Sequence, residues 1–166
     1  TNTATPTNTP TVTETFTPTM TPTARPPANF ADGVHWVEVD IDNQDLSLWI
    51  GRDKIQTFKI SSGIWPFHTP KGSYQVYVMY PEADMYGEGY YLEDVPWVMY
   101  FRGSYGLHGA FWHDRFGLRT SHGCINLSPT DARRFFHFVE SPQLPEGWHG
   151  VYTRPGTKGT IVHITE

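Results

Sequence analysis

Residues 108 to 126 read HGAFWHDRFGLRTSHGCIN and hold three of the chain's eight histidines together with its only cysteine. A cysteine set among histidines can do one of three things. It can be a nucleophile, in which case a base must take its proton, because the thiolate attacks and a free thiol ionises only near ~8.5. It can ligate a metal together with the histidines. It can also be a small buried hydrophobe. The neighbours of Cys124 favour the first. Gly123 allows a tight backbone turn or a close approach to a ligand, and Ser121 and His122 make a polar setting that suits an exposed thiol better than a core. Three histidines are candidate bases. His122 is two positions away and shares a face with Cys124 if the chain is extended. His108 opens the stretch, far enough upstream for the chain to leave by a loop and return alongside. His113 falls within that loop and reads as a rim or substrate contact. As metal ligands, His108, His113, His122 and Cys124 lack the close pairs of structural zinc sites, so neither a metal nor a cofactor is expected.

Such a constellation needs a rigid frame, and the frame reads as β-structure. In VHWVEVDI (34–41), Val37, Val39 and Ile41 share one face; DNQ makes a turn, and DLSLWI (45–50) places Leu46, Leu48 and Ile50 together. GRDK turns again into IQTFKI, and TPKGSYQVYVM (69–79) runs from a Pro/Gly turn into another strand. Short alternating runs punctuated by regularly spaced turns indicate a sandwich or barrel. Residues 80–95, YPEADMYGEGYYLEDV, lack a clean period and read as a long loop, a flap over a cleft. One helix is signalled: Ser128 suits the N-cap, Pro129 the first helical position and Asp131 the first turn. Phe135, Phe138 and Val139 then share a core face. TIVHIT closes the domain as a strand. Tyr90, Tyr91, Trp97, Met99, Tyr100, Phe101, Phe111 and Trp112 are expected around the cleft, divided between its walls and the core.

Composition sets the outer limits. Twelve basic against 17 acidic side chains leave a net charge of −5, the wrong sign for gripping phosphates, so no nucleic-acid partner is expected. The longest apolar run, VPWVMYF (95–101), is far short of the ~20 residues that span a bilayer, so no membrane contact is expected from this segment. A single cysteine forms no internal disulfide. Residues 1–29 form a separate object: threonine occupies every odd position from Thr1 to Thr23, with prolines interleaved. Such a stretch cannot bury enough surface to offset its ordering entropy. It reads as a disordered extracytoplasmic linker, with residues 30–166 as the folded domain. A start at Thr1 rather than Met leads us to expect a signal peptide or anchor upstream.

Three stretches together resemble a known family. LHG (107–109) followed by SHGCIN (121–126) is similar to the signature of the L,D-transpeptidase (YkuD-type) catalytic domain. VEVDIDNQDLSLW, ISSG followed by TPKGSYQV, and INLSPTDARRFF are similar to its other segments, so that the resemblance spans roughly 34–166. It implies a mostly-β sandwich with one short α-helix after the cysteine. It implies Cys124 as nucleophile and His108 as general base and then acid. The Gly109 carbonyl would orient the imidazole, and the N–H groups of Gly123 and Cys124 would form an oxyanion hole, with His122 lining it. Ser121, Asn126, Trp112, Tyr91 and Met99 are expected on the substrate-binding side. The implied substrates are peptidoglycan stem peptides, cross-linked outside the cytoplasm, and the implied covalent inhibitor is a carbapenem. Rival readings are a hydrolysing cysteine carboxypeptidase of the same architecture and a non-catalytic wall-binding module.

Overall fold

A computed structural model describes residues 33–87, 89–139 and 159–166, together with the backbone of 151–152. The proposed linker, 1–29, lies outside the described residues. The strands are β1 (His35–Asp40), β2 (Asp45–Ile50), β3 (Asp53–Lys59), β4 (Gly72–Gln75), β5 (Val78–Gly87), β6 (Tyr90–Arg102), β7 (Tyr105–Gly109), β8 (Ile125–Leu127), β9 (Val151–Tyr152) and β10 (Ile161–Thr165); the helix α1 spans Pro129–Phe138. They form two five-stranded sheets, ordered β3-β2-β1-β10-β4 and β8-β7-β6-β5-β9. Among the described residues, no helix is long and apolar enough to cross a membrane.

The core lies between the sheets. Val37, Val39, Leu46 and Leu48 of the first sheet meet Met79, Met99, Leu107 and Ile125 of the second, and Ala132 and Phe135 of α1 close the cluster. Alternation put these residues on the inner face, as period 2 requires. β1 is nonetheless buried on both faces. Its outer residues Trp36 and Glu38 are covered by Trp49, which stacks on Trp36 at 5.1 Å and donates its indole N–H to Glu38 at 3.1 Å. The run 69–79 is not one strand. It is divided: β4 joins the first sheet, Val76 and Tyr77 cross over, and β5 joins the second.

The stretch 80–95 is a two-stranded ribbon and not a loop. β5 and β6 pair from Val78↔Tyr100 out to Gly87↔Tyr90. Its period was hidden because the register shifts between Ala83 and Met85 and Asp94 takes a positive φ of 53°. A bulge of this kind shifts the alternation of side chains by one position. The helix begins as its sequence indicates, with the Ser128 hydroxyl accepting the Asp131 N–H at 3.1 Å and Pro129 in the first turn. Val139 leaves the helix as an extended cap residue.

Candidate active site

β7 and β8 are parallel neighbours, with Leu107↔Ile125, His108↔Asn126 and Gly109↔Leu127 in register. The chain leaves β7, makes the 110–124 excursion and returns beside it. Cys124 is the last residue of the returning turn, immediately before β8. The pairing therefore brings His108 and Cys124, distant in sequence, onto neighbouring strands, with His108 level with Asn126 and Cys124 just before Ile125, and both line one cavity of about 260 Å³.

The turn is held from within and from behind. Ser121 Oγ donates to the Cys124 carbonyl at 2.5 Å and accepts the Gly123 N–H at 3.0 Å. Thr69 Oγ1 accepts the Gly63 N–H and donates to the Gly123 carbonyl, both at 2.9 Å. Gly123 adopts φ +108°, and a Cβ there would stand 2.6 Å from the Tyr105 ring. Such a φ suits glycine alone. Residues 60–64 run behind the turn: Ser61 exchanges backbone hydrogen bonds with Asn126 at 2.9 Å, and the Ser62 carbonyl accepts the N–H groups of Thr120 and Ser121 at 3.0 Å.

His108 is buried beneath the cleft. Its Nδ1 contacts the Gly109 carbonyl at 3.2 Å, which makes Nδ1 the protonated nitrogen and leaves Nε2 as an acceptor. Burial holds its pKa at about 4, against the ordinary 6.5, and the Gly109 carbonyl opposes that shift only in part. Burial also pushes the Cys124 thiol up, with a Gly106 N–H to sulfur as the smaller, opposing influence. The thiol points its proton at the Ser104 carbonyl, 3.7 Å away. At neutral pH the resting pair is thus thiol and imidazole, both uncharged. The opposite pattern, a thiolate beside an imidazolium, requires a thiol pKa well below its ordinary value.

His122 is placed differently. It is exposed and lies against two rings, Phe67 at 4.8 Å and Tyr90 at 5.3 Å. It also borders a second cavity of about 190 Å³, which shares Cys124 and Tyr90 with the first, so the thiol stands between two clefts. Trp112 lies tilted against His108, with ring centroids 5.7 Å apart, and lines the first cavity with Ser121 and Asn126.

Three expectations need correction. The Gly123 N–H is bonded to Ser121 Oγ and does not point into the cleft as an oxyanion donor. Met99 is fully buried in the core between the sheets and reaches no ligand surface, because it faces Leu107 on the inner side of its sheet. Tyr91 is 58% exposed and donates to Asp84 at 2.7 Å, on the outer face of the ribbon. Its neighbours Tyr90 and Leu92, with Met85 opposite Leu92, are the residues that line the cleft. Knowing that 80–95 is a ribbon would have separated odd from even positions there. Thr120 and Arg115, also in the lining, carried no sequence signal. Among the described residues, no three His, Cys, Asp or Glu side chains come together as a metal site.

The L,D-transpeptidase catalytic domain (YkuD) model matches residues 34–164. The chain belongs to that family. The fold of L,D-transpeptidases is correspondingly present in solved structures. An L,D-transpeptidase from Mycobacterium smegmatis is 22% identical with a TM-score of 0.64, over 80% of this chain and 58% of that one. The C442S mutant of the Enterococcus faecium L,D-transpeptidase is 24% identical with a TM-score of 0.65, over 81% and 50%. An L,D-transpeptidase solved in complex with imipenem is 19% identical with a TM-score of 0.63, over 80% and 59%. The chain therefore spans only half to three-fifths of the length of these L,D-transpeptidases. No curated protein matches it.

Proposed function

We propose that this chain is a peptidoglycan L,D-transpeptidase acting outside the cytoplasm. The supporting observation is the placement of the Cys124 thiol and the His108 imidazole in one cavity, with the Gly109 carbonyl fixing the tautomer that leaves Nε2 free. Cys124 attacks the carbonyl of the diamino residue in a stem tetrapeptide while Nε2 takes the thiol proton. The resulting imidazolium gives that proton to the leaving D-Ala amine, and a thioester remains. An amine of a second stem attacks the thioester, His108 again relaying the proton, and the cross-link forms as the thiol is regenerated. Because the resting pair is uncharged, proton transfer accompanies attack, as in general-base catalysis. With the Gly123 N–H occupied, the Cys124 N–H is the oxyanion donor from this turn; one such donor contributes about 10²–10³ in rate. The two clefts flanking the thiol give donor and acceptor separate approaches.

The test is intact mass after incubation with a carbapenem, wild type beside Cys124→Ala, followed by assay of stem tetrapeptides. The expected result is one adduct on wild type, none on the variant, and release of D-Ala with an amine-linked product. An unmodified wild-type thiol that also leaves stem peptides intact overturns the proposal. Release of D-Ala with water as the only acceptor makes the enzyme a carboxypeptidase.

A further inference from the structure

Two residues that line the first cavity each carry a buried polar atom without a hydrogen-bond partner among the described residues: Asn126 Oδ1 and Thr120 Oγ1. Asn126 is 3% exposed, and its other amide atom, Nδ2, lies 3.0 Å from His113 Nε2. The role of that histidine nitrogen can be deduced. His113 Nδ1 accepts the backbone N–H of Arg115 at 3.2 Å, so Nδ1 carries no proton. A neutral imidazole then carries its proton on Nε2. An Nε2–H facing an NH2 group sets donor against donor.

Exchanging the oxygen and nitrogen ends of the Asn126 amide resolves both problems. The two ends have nearly the same shape, and hydrogen bonding decides which way the amide faces. Oδ1 then accepts from His113 Nε2–H, and the NH2 group takes the buried place of the unpartnered oxygen, on a side chain that lines the cleft. The groups around His113 agree with a neutral ring: burial and the Arg115 guanidinium lower its pKa, and only Asp114 opposes them, while His108 faces it uncharged.

We propose that His113 is a positioning residue that turns the Asn126 NH2 group toward the cleft, where that group, with the Thr120 hydroxyl, binds an acceptor oxygen of the acyl donor. Asn126 is the register partner of His108, so this donor sits one strand from the base. A buried NH2 with no protein acceptor demands one from its ligand. A carbonyl or carboxylate oxygen of the peptide satisfies it, and an N–H there does not.

The ligand half of this inference rests on the acyl-transfer reading; the polarity half does not. Long-range ¹H–¹⁵N correlation of ¹⁵N-histidine-labelled protein at pH 7 should show His113 as the Nε2–H tautomer. An Nδ1–H tautomer overturns the proposal whatever the enzyme's activity. Asn126→Asp keeps an oxygen for His113 and replaces the NH2 with a second oxygen. Its KM for the stem tetrapeptide should rise tenfold or more, with a smaller fall in kcat. His113→Phe, which releases the amide to either orientation, should raise KM by less, about threefold. An Asn126→Asp KM within twofold of wild type overturns the ligand half. Wild-type protein inactive on stem peptides sinks the acyl-transfer reading instead, and the tautomer still decides the polarity.

Discussion

The two walls of the catalytic cleft are built on different principles. The wall formed by residues 121–126 is tied into the core: Ser121, Thr69 and the 60–64 backbone hold every bend of the turn, and Gly123 packs against Tyr105 with no room for a Cβ. The opposite wall is the β5–β6 ribbon. It has cross-strand pairing and lines the clefts through Met85, Tyr86, Tyr90 and Leu92, while Tyr91, which lines neither, is 58% exposed. The proposed nucleophile Cys124 sits on the tied wall and the proposed base His108 on β7, the strand paired with it, where an error of an ångström is expensive in rate. The ribbon supplies contact surface through Met85, Tyr90 and Leu92.

That contrast can be broken at several depths. The largest effect is expected from the reacting pair. Cys124→Ala should abolish carbapenem adduct formation and D-Ala release, and His108→Ala should lower kcat on stem peptides by roughly 10³-fold or more. His122→Ala, by contrast, should change kcat by less than about tenfold, because its ring touches Phe67 and Tyr90 and its role is lining. If His122→Ala matches His108→Ala in D-Ala release, the base has been misassigned.

Acid is the next lever on the tied wall. His108 titrates at about 4 in the fold and near 6.5 when unfolded. Between those values the unfolded chain binds the extra proton, so stability falls as pH drops from 6.5 to 4, by about 3 kcal/mol in all. Urea titrations across that range should show the loss, and His108→Gln should flatten it; an unchanged slope in the variant assigns the acid sensitivity to other groups.

Gly123→Ala should be smaller in stability, at about 2 kcal/mol, from the left-handed φ and the contact with Tyr105. Its Tm and its rate of carbapenem acylation should fall together, since the misplaced residue is next to the nucleophile. A drop in Tm with full acylation rate means the turn is less tightly coupled to the thiol than its hydrogen bonds imply. The mildest pair tests the ribbon. Tyr90→Ala should raise KM by about three- to tenfold, whereas Tyr91→Ala should leave KM within about twofold and alter stability by no more than ~0.5 kcal/mol. Equal effects at the two positions contradict the assignment of faces.

Local signals carried much of this architecture. The alternation of Val37, Val39, Leu46 and Leu48 was sufficient for the first sheet, the Ser128-Pro129 start for the helix, and the spacing from His108 to Cys124 for a return alongside. What escaped was non-local or masked. One bulge beside Asp84 and one left-handed residue at Asp94 made a ribbon look like a loop, and with the parity lost, Tyr91 was put on the cleft beside Tyr90. Met99 could not be told from a wall residue because an aromatic-rich strand has apolar side chains on both faces. The family resemblance implied the Gly123 N–H as an oxyanion donor, and its competing acceptor, Ser121 Oγ, meets it only when the turn closes. The bracing by residues 60–64 comes from a chain segment remote in sequence and has no local trace.

The order of strands in the first sheet bears on how the chain reaches its place of action. β1, the earliest of the described strands, lies parallel to β10, the last of them, with Val37 beside Val162 and β4 on the far side of β10. Until β10 emerges, β1 and β4 have no partner between them, and loop closure over so long a segment makes the pairing slow. Synthesis therefore has to pass through the whole domain before this sheet can close. Were the chain exported, as the proposed function requires, this strand order would favour a polypeptide that is still open when it is threaded across the membrane.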